Sequence, residues 1–148
     1  MKKTIVFNLG SNIGNKEKNI IIASTKLITD FGLTNICKSR IFKSKALLLE
    51  DAPKEWDLDF FNISISAKIN VEKFFPLKIL SKIQEIEKEI GRKDRGKWAP
   101  REIDIDILLL EDNNVSTKEL TIPHKEIENR EFFIKTLEEA LPNWKDFI

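Results

Sequence analysis

The run Arg101-Glu102-Ile103-Asp104-Ile105-Asp106-Ile107-Leu108 restricts the fold more than any other part of the chain. Read with a period of two, it sets Ile103, Ile105 and Ile107 on one face of an extended strand and Asp104 and Asp106 on the other. The two carboxylates then stand roughly 7 Å apart along the backbone. Ile103 to Leu110 is therefore read as a strand. Two acids side by side on so apolar a strand repel each other and lose hydration. A divalent cation removes both costs. Oxygen-only ligands select a hard ion such as Mg²⁺, which is held by one or two carboxylates together with phosphate oxygens and waters. The other reading of the same residues is a solvated edge-strand face whose acids pair with Lys or Arg.

The rest of the chain supplies elements to pack against that strand. Thr4 to Leu9 is a short strand stopped by Gly10-Ser11-Asn12. Asn15 caps a helix with Ile20, Ala23, Leu27, Ile28 and Phe31 on its apolar face, and Gly32 ends it. Leu33 to Phe42 and Phe60 to Ile69 are two further strands. Lys43 to Asp59, with Pro53 and five acidic residues, is a long surface loop of the kind that is usually functional or mobile. Pro76 opens a second helix with Ile79, Leu80, Ile83, Ile86 and Ile90 on one face, closed by Gly91. After Asn113-Asn114 come a short extended piece near Leu120-Ile122, a helical turn at Lys125 to Asn129, and Phe132 to Leu137. The order β-α-β-β-α-β with a C-terminal extension predicts a ferredoxin-like α+β sandwich. Both helices should lie on one sheet face, leaving the other face and its loops for ligands. At 148 residues the chain fits a single domain, 1–148, with a core of its own.

Charge and cysteine usage narrow the function classes. Lys and Arg total 25 against 24 Asp and Glu, a net charge of +1, which disfavours a general nucleic-acid or membrane-surface binder. One cysteine, Cys37, makes no internal disulfide, and one histidine, His124, makes no multi-histidine metal site. Met1 to Phe7 runs into Asn8 too soon for a signal-peptide core, and no apolar stretch approaches the ~20 residues that span a bilayer. A cytoplasmic protein is expected.

Residues around the acidic strand point to phosphate. Arg92, Lys93, Arg95, Lys97 and Arg101 put five cations just before it. Metal beside clustered guanidinium and ammonium groups suits a polyphosphate, whose transfer is mostly a matter of positioning and charge stabilisation. Taken alone, the same segment is a solvated basic loop. Gly10 to Gly14 lacks both the dinucleotide glycine spacing and the P-loop ending, and is read as a tight turn. Gln84 and Glu87 lie one turn apart at the border of an apolar helix face, where they could meet a nucleoside or simply touch the basic loop. His124 sits on a loop with Arg130 close behind. For Phe60 and Phe132 the default is core packing. Two other classes fit parts of this pattern: a metal-dependent phosphodiesterase using Asp104 and Asp106, and an RNA-binding ferredoxin-like module, which lacks an aromatic RNP-type strand here.

Leu9-Gly10-Ser11-Asn12, Phe60-Phe61-Asn62, Glu87 with Gly91-Arg92, Lys97-Trp98-Ala99-Pro100-Arg101 running into the acidic strand, and Ile122-Pro123-His124 with Arg130 and Phe132 occur in that order. Together they resemble the 6-hydroxymethyl-7,8-dihydropterin pyrophosphokinases of the folate pathway, over nearly the whole chain. The resemblance implies the ferredoxin-like fold and Mg²⁺-dependent transfer of pyrophosphate from ATP to the pterin hydroxymethyl group, releasing AMP. It implies that Asp104 and Asp106 hold two Mg²⁺ ions with ATP and that Arg92 and Arg101 stabilise the transferred charge. By the same resemblance Gln84, Glu87, Lys97, Trp98, Ile107, Thr121, His124 and Arg130 line the nucleotide site. The pterin is implied to stack between Phe60 and Phe132, with Asn62 and the backbone near Ser44 and Leu47 reading its polar edge. An amide suits that edge because it offers both a donor and an acceptor. Some relatives are fused to dihydropteroate synthase, so a partner of that kind, fused or separate, is also implied. Two features depart from the family pattern. The loop after Gly91 is short, so the arginine usual near its middle falls at Arg95 or is displaced by Asp94. Ser44-Lys45 stands where Thr-Pro is more familiar.

Overall fold

A computed structural model describes all 148 residues. Its main sheet is antiparallel, built from β1 (Lys2–Ser11), β2 (Thr34–Lys38), β3 (Phe42–Ser44), β4 (Phe60–Asn70) and β5 (Asp104–Leu110). The spatial order is β2-β4-β1-β5, with β3 also paired to β4. Helices α1 (Lys16–Phe31) and α2 (Pro76–Ile90) cover one face, giving the expected ferredoxin-like arrangement. The Asn15 side chain accepts from the Lys18 N–H at 3.1 Å to start α1. Gly32, at φ +58°, ends that helix in the left-handed region, where a side chain would be strained.

Alternation assigns each strand residue to a face. Ile5, Phe7 and Leu9 of β1, Ile63, Ile65, Ala67 and Ile69 of β4, and Ile105 and Ile107 of β5 pack with Ile103 beneath Leu27, Phe31, Ile79, Ile83 and Ile86 of the two helices. Near the end of β5 the pairing with β1 slips between Val6 and Phe7, so Val6 opposes Leu109 while Phe7 opposes Ile107. This bulge breaks the period of two. Leu108 and Leu109 therefore both join Val6 in a second cluster, while Leu110 returns to the first.

The second cluster corrects the expectation of a free sheet face. The C-terminal part folds into a small hairpin, β6 (Val115–Ser116) and β7 (Thr121–Ile122), followed by a third helix, α3 (Glu131–Ala140). Phe133 and Leu137 of α3 pack with Trp144 and Ile127 on Val6, Leu108 and Leu109. The polar residues of this face are sealed in as well. Asn8, Ser64 and Thr136 are at most 2% exposed and joined by hydrogen bonds, and Ser66 Oγ donates to the Ala140 carbonyl at 2.6 Å. Buried hydroxyls and amides are tolerated when paired, and here every one is paired to α3 or to its neighbour.

The same helix breaks the strand expected from Leu33 to Phe42. Glu139 takes the Arg40 N–H at 2.9 Å and its guanidinium at 2.6 and 3.0 Å, drawing those backbone groups away from the ladder. The result is two short strands, β2 and β3, separated at residues 39–41. The segment Lys43 to Asp59 is a loop over most of its length, but its start belongs to β3 and Lys54–Trp56 forms a 3₁₀ turn. No helix is long and apolar enough to cross a membrane.

Candidate functional site

α3 leaves one end of its sheet face open, and the register decides what stands there. Gly10 of β1 pairs with Asn62 on one side and Asp104 on the other; in the next row inward, Asn8 pairs with Ser64 and Asp106. Three strands thus present Asn62, a bare glycine and Asp104 side by side. A Cβ at Gly10 would lie 3.0 Å from Asn62 Oδ1 and 3.3 Å from Phe60 Cδ1, so only glycine leaves these side chains where they are. The floor made in this way opens into a cavity walled by Phe60, Phe132, Ser44, Leu47, Trp98 and Arg130, with Arg101, Asp104 and Asp106 at its far side. Asn62 is pre-set: its amide nitrogen donates to Ser44 Oγ at 2.8 Å and to the Phe42 carbonyl at 3.3 Å.

Asp104 lies between two guanidiniums, Arg92 at 3.2 Å and Arg101 at 3.4 Å. Burial, and after it the Asp106 charge, pushes the Asp104 carboxyl above its usual range, against the pull of Arg101, Arg92 and Arg130. Arg92 is itself held by Glu87 at 2.7 Å, and the same Glu87 oxygen accepts the Ile105 N–H at 2.9 Å. Glu87 is buried, and its carboxyl is raised to about 7, chiefly by desolvation, with Arg92 and the Ile105 N–H opposing. Arg101 is fixed through its backbone: its N–H donates to Asn12 Oδ1 at 2.8 Å, while Asn12 reaches the Leu58 carbonyl at 3.2 Å. His124 Nδ1 accepts the Glu126 N–H at 3.1 Å, so the proton of the neutral ring sits on Nε2, 3.7 Å from Asp106.

Two further depressions adjoin the first. One shares Asp106 and is lined by Ile107, Thr121 and His124 with Leu80, Ile83 and Leu120. The other shares Arg101 and is lined by Gln84, Glu87, Arg92 and the basic loop. The residues expected to meet a nucleotide are therefore distributed over three depressions. Trp98 and Arg130 stand with the aromatic pair rather than with Thr121 and His124. Lys97 is exposed, its Nζ 5.8 Å over the Trp98 ring, and lines none of the three. Asn8, Asn12 and Lys45 border or brace the first cavity without having been singled out. For Asn12 the Leu-Gly-Ser-Asn run is the only trace and for Lys45 its place beside Ser44; for Asn8 there is none.

As a donor set, two carboxylates with His124 Nε2 3.7 Å from Asp106 but no cluster of three acidic, cysteine or histidine groups fit Mg²⁺, which completes its shell with phosphate oxygens and water, better than a metal that needs a full protein cage.

Residues 6–142 match the model of the 7,8-dihydro-6-hydroxymethylpterin-pyrophosphokinase (HPPK) family. The chain is 41% identical over 140 residues to a 2-amino-4-hydroxy-6-hydroxymethyldihydropteridine pyrophosphokinase of Aquifex aeolicus, covering 95% of this chain and 81% of that one. It is 37% identical to a folate synthesis bifunctional protein of Chlamydia caviae, covering 93% of this chain but only 30% of that longer protein. The fold is similar to that of Plasmodium falciparum HPPK-DHPS, with a TM-score of 0.65 at 16% identity, over 96% of this chain and 42% of that one.

Proposed function

The chain belongs to the 7,8-dihydro-6-hydroxymethylpterin-pyrophosphokinase family and is a pyrophosphokinase of folate biosynthesis, and on that premise we propose that it moves pyrophosphate from ATP to the hydroxymethyl group of 6-hydroxymethyl-7,8-dihydropterin, releasing AMP. The observation that carries the reading is the Asn62-Gly10-Asp104 row, which sets an amide able to read a heterocycle and a carboxylate pair facing phosphate chemistry at the two ends of one cavity.

The pterin ring lies over Gly10 between Phe60 and Phe132, with Asn62, Ser44 and the backbone near Leu47 at its polar edge. ATP occupies the depression of Ile107, Thr121 and His124, which meets the first cavity at Asp106. Gln84, Glu87, Lys97, Trp98 and Arg130 border its path. Asp104 and Asp106 would hold two Mg²⁺ ions, which when bound neutralise charge on the phosphate oxygens. Arg92 and Arg101 turn from Asp104 toward the transferred group, where fixed guanidinium donors stabilise developing negative charge. Glu87 keeps Arg92 within reach, and His124 directs its Nε2–H at Asp106. Residues 1–148 act as one domain.

ATP turnover with and without the pterin, reading AMP and ADP separately, tests the reading. AMP and pterin diphosphate are expected only when pterin, ATP and Mg²⁺ are all present, and Asp106→Ala should lower turnover by several orders of magnitude while the fold survives. ADP, or phosphate release without pterin, would contradict it.

A further inference from the structure

Asn8 has no part in the mechanism above, yet it forms part of the wall of the ring cavity and is only 2% exposed. Its amide nitrogen donates to Ser64 Oγ at 3.3 Å and to Thr136 Oγ1 at 3.2 Å. Thr136 Oγ1 lies 2.7 Å from the Phe132 carbonyl and 3.2 Å from the Phe133 carbonyl in the preceding helical turn, two acceptors for its single proton. With that proton given to the helix, the hydroxyl accepts from the Asn8 amide nitrogen at 3.2 Å and has Ser64 Oγ beside it at 2.6 Å. An oxygen engaged in this way is served by the NH₂ end of the Asn8 amide, and that end faces α3. The carbonyl end has no partner within the protein. It is not sealed off either, since Ser24 Oγ is the only buried side-chain oxygen or nitrogen left unpaired. Asn8 Oδ1 is thus the atom that meets the cavity.

The register puts Asn8 directly beside Asp106 and one row inward from Gly10. A neutral acceptor there, next to two carboxylates, is unsuited to a further anion and suited to an O–H or N–H donor. A ring read by Asn62 at its polar edge and lying over Gly10 would carry its hydroxymethyl substituent at the opposite end, toward β5, and Asn8 stands on β1 in the next row inward, directly beside Asp106 of β5. We propose that Asn8 Oδ1 accepts a hydrogen bond from the hydroxymethyl O–H of the pterin and so selects the hydroxylated substrate. The inference rests on the pterin reading above. Where the carboxylates would hold cations, a neutral amide can hold the hydroxyl without competing for them. Because Thr136 and Ser64 already orient that amide, little ordering cost remains when the ligand arrives.

Calorimetric titration with 6-hydroxymethyl-7,8-dihydropterin and with 6-methyl-7,8-dihydropterin, in the presence of Mg²⁺ and a non-hydrolysable ATP analogue, tests it. Wild type should favour the hydroxymethyl compound. Asn8→Ala should bind it about five- to tenfold more weakly, the range for one neutral hydrogen bond, and bind the methyl compound as wild type does. Thr136→Val, which removes the acceptor that orients the amide, should lose part of the same preference, while Thr136→Ser should keep it; this pair decides the matter if Asn8→Ala does not fold. Equal weakening of both compounds by Asn8→Ala would make Asn8 a scaffold residue and overturn the inference alone, as would equal affinity of wild type for both. Wild type binding neither compound would overturn the pterin reading and this inference together.

Discussion

Arg95 and Glu102 close the base of the basic loop with a two-pronged contact, Nη1 to Oε1 at 2.9 Å and Nη2 to Oε2 at 2.7 Å. The hydrogen bond from Arg95 is the main reason the Glu102 carboxyl lies below its usual range. Arg95 Nη1 also reaches the Pro100 carbonyl at 3.4 Å, and Asp94 accepts the Gly96 N–H at 3.0 Å. Neither position of the shortened loop is directed at Asp104; Arg92 and Arg101 are.

Removing the clasp should loosen the loop. In Glu102→Ala, amide hydrogen exchange at residues 92–100 is expected to quicken a few-fold, with the sheet unaffected. Unchanged exchange would mean that other contacts hold the loop.

Gly10→Ala places a methyl group 3.0 Å from Asn62 Oδ1. Overpacking of this kind costs about 1–3 kcal/mol. A lower melting temperature is expected, with pterin affinity falling and nucleotide affinity retained. Loss of nucleotide binding to the same degree would point to a general distortion of β1.

Phe132 is half-buried, its ring edge-on to Phe133 at 4.6 Å, and it faces the cavity from the first turn of α3. Stacking on a heterocycle is worth roughly 1–3 kcal/mol per ring, so Phe132→Ala should weaken pterin binding by that amount in an equilibrium titration. Equal loss of both ligands would return the ring to the core.

Glu87 gives stability a pH dependence of defined sign. With the folded carboxyl raised to about 7 from an ordinary value near 4.5, the folded chain keeps a proton that the unfolded chain releases. Stability is therefore greatest below the lower value and falls as pH rises through the upper one, by on the order of 3 kcal/mol. Glu87→Gln cannot titrate, so the melting-temperature difference between wild type and variant should shrink or reverse from pH 4.5 to pH 7. A constant difference would refute the assignment.

Much of this was legible from residue order. Asp104 and Asp106 share a face because Ile103, Ile105 and Ile107 take the other, and the caps Asn15 and Gly32 sit where their chemistry predicts. Reading ended where period two ended, at the bulge that sends both Leu108 and Leu109 to one side. It also failed for the polar residues of β4. Ser64 and Ser66 alternate with Ile63 and Ile65 as solvent-facing residues would, and nothing local tells that Thr136 and the Ala140 carbonyl will cover them. The same long-range pairing hides Asn8, whose neighbours lie 56 and 128 positions away.

Helix α3 turns Phe132 to the cavity and Thr136 to the buried hydroxyl seam within one turn of chain. Docking of the helix and occupancy of the pocket are for that reason linked equilibria. Any molecule whose α3 has lifted lacks an aromatic wall, so the apparent affinity is the intrinsic one scaled by the docked fraction. Reciprocally, a ligand that stacks on Phe132 adds its binding free energy to the hold on the C-terminal helix. Protection of that helix from proteolysis or exchange becomes a gauge of pocket occupancy, readable without following the reaction.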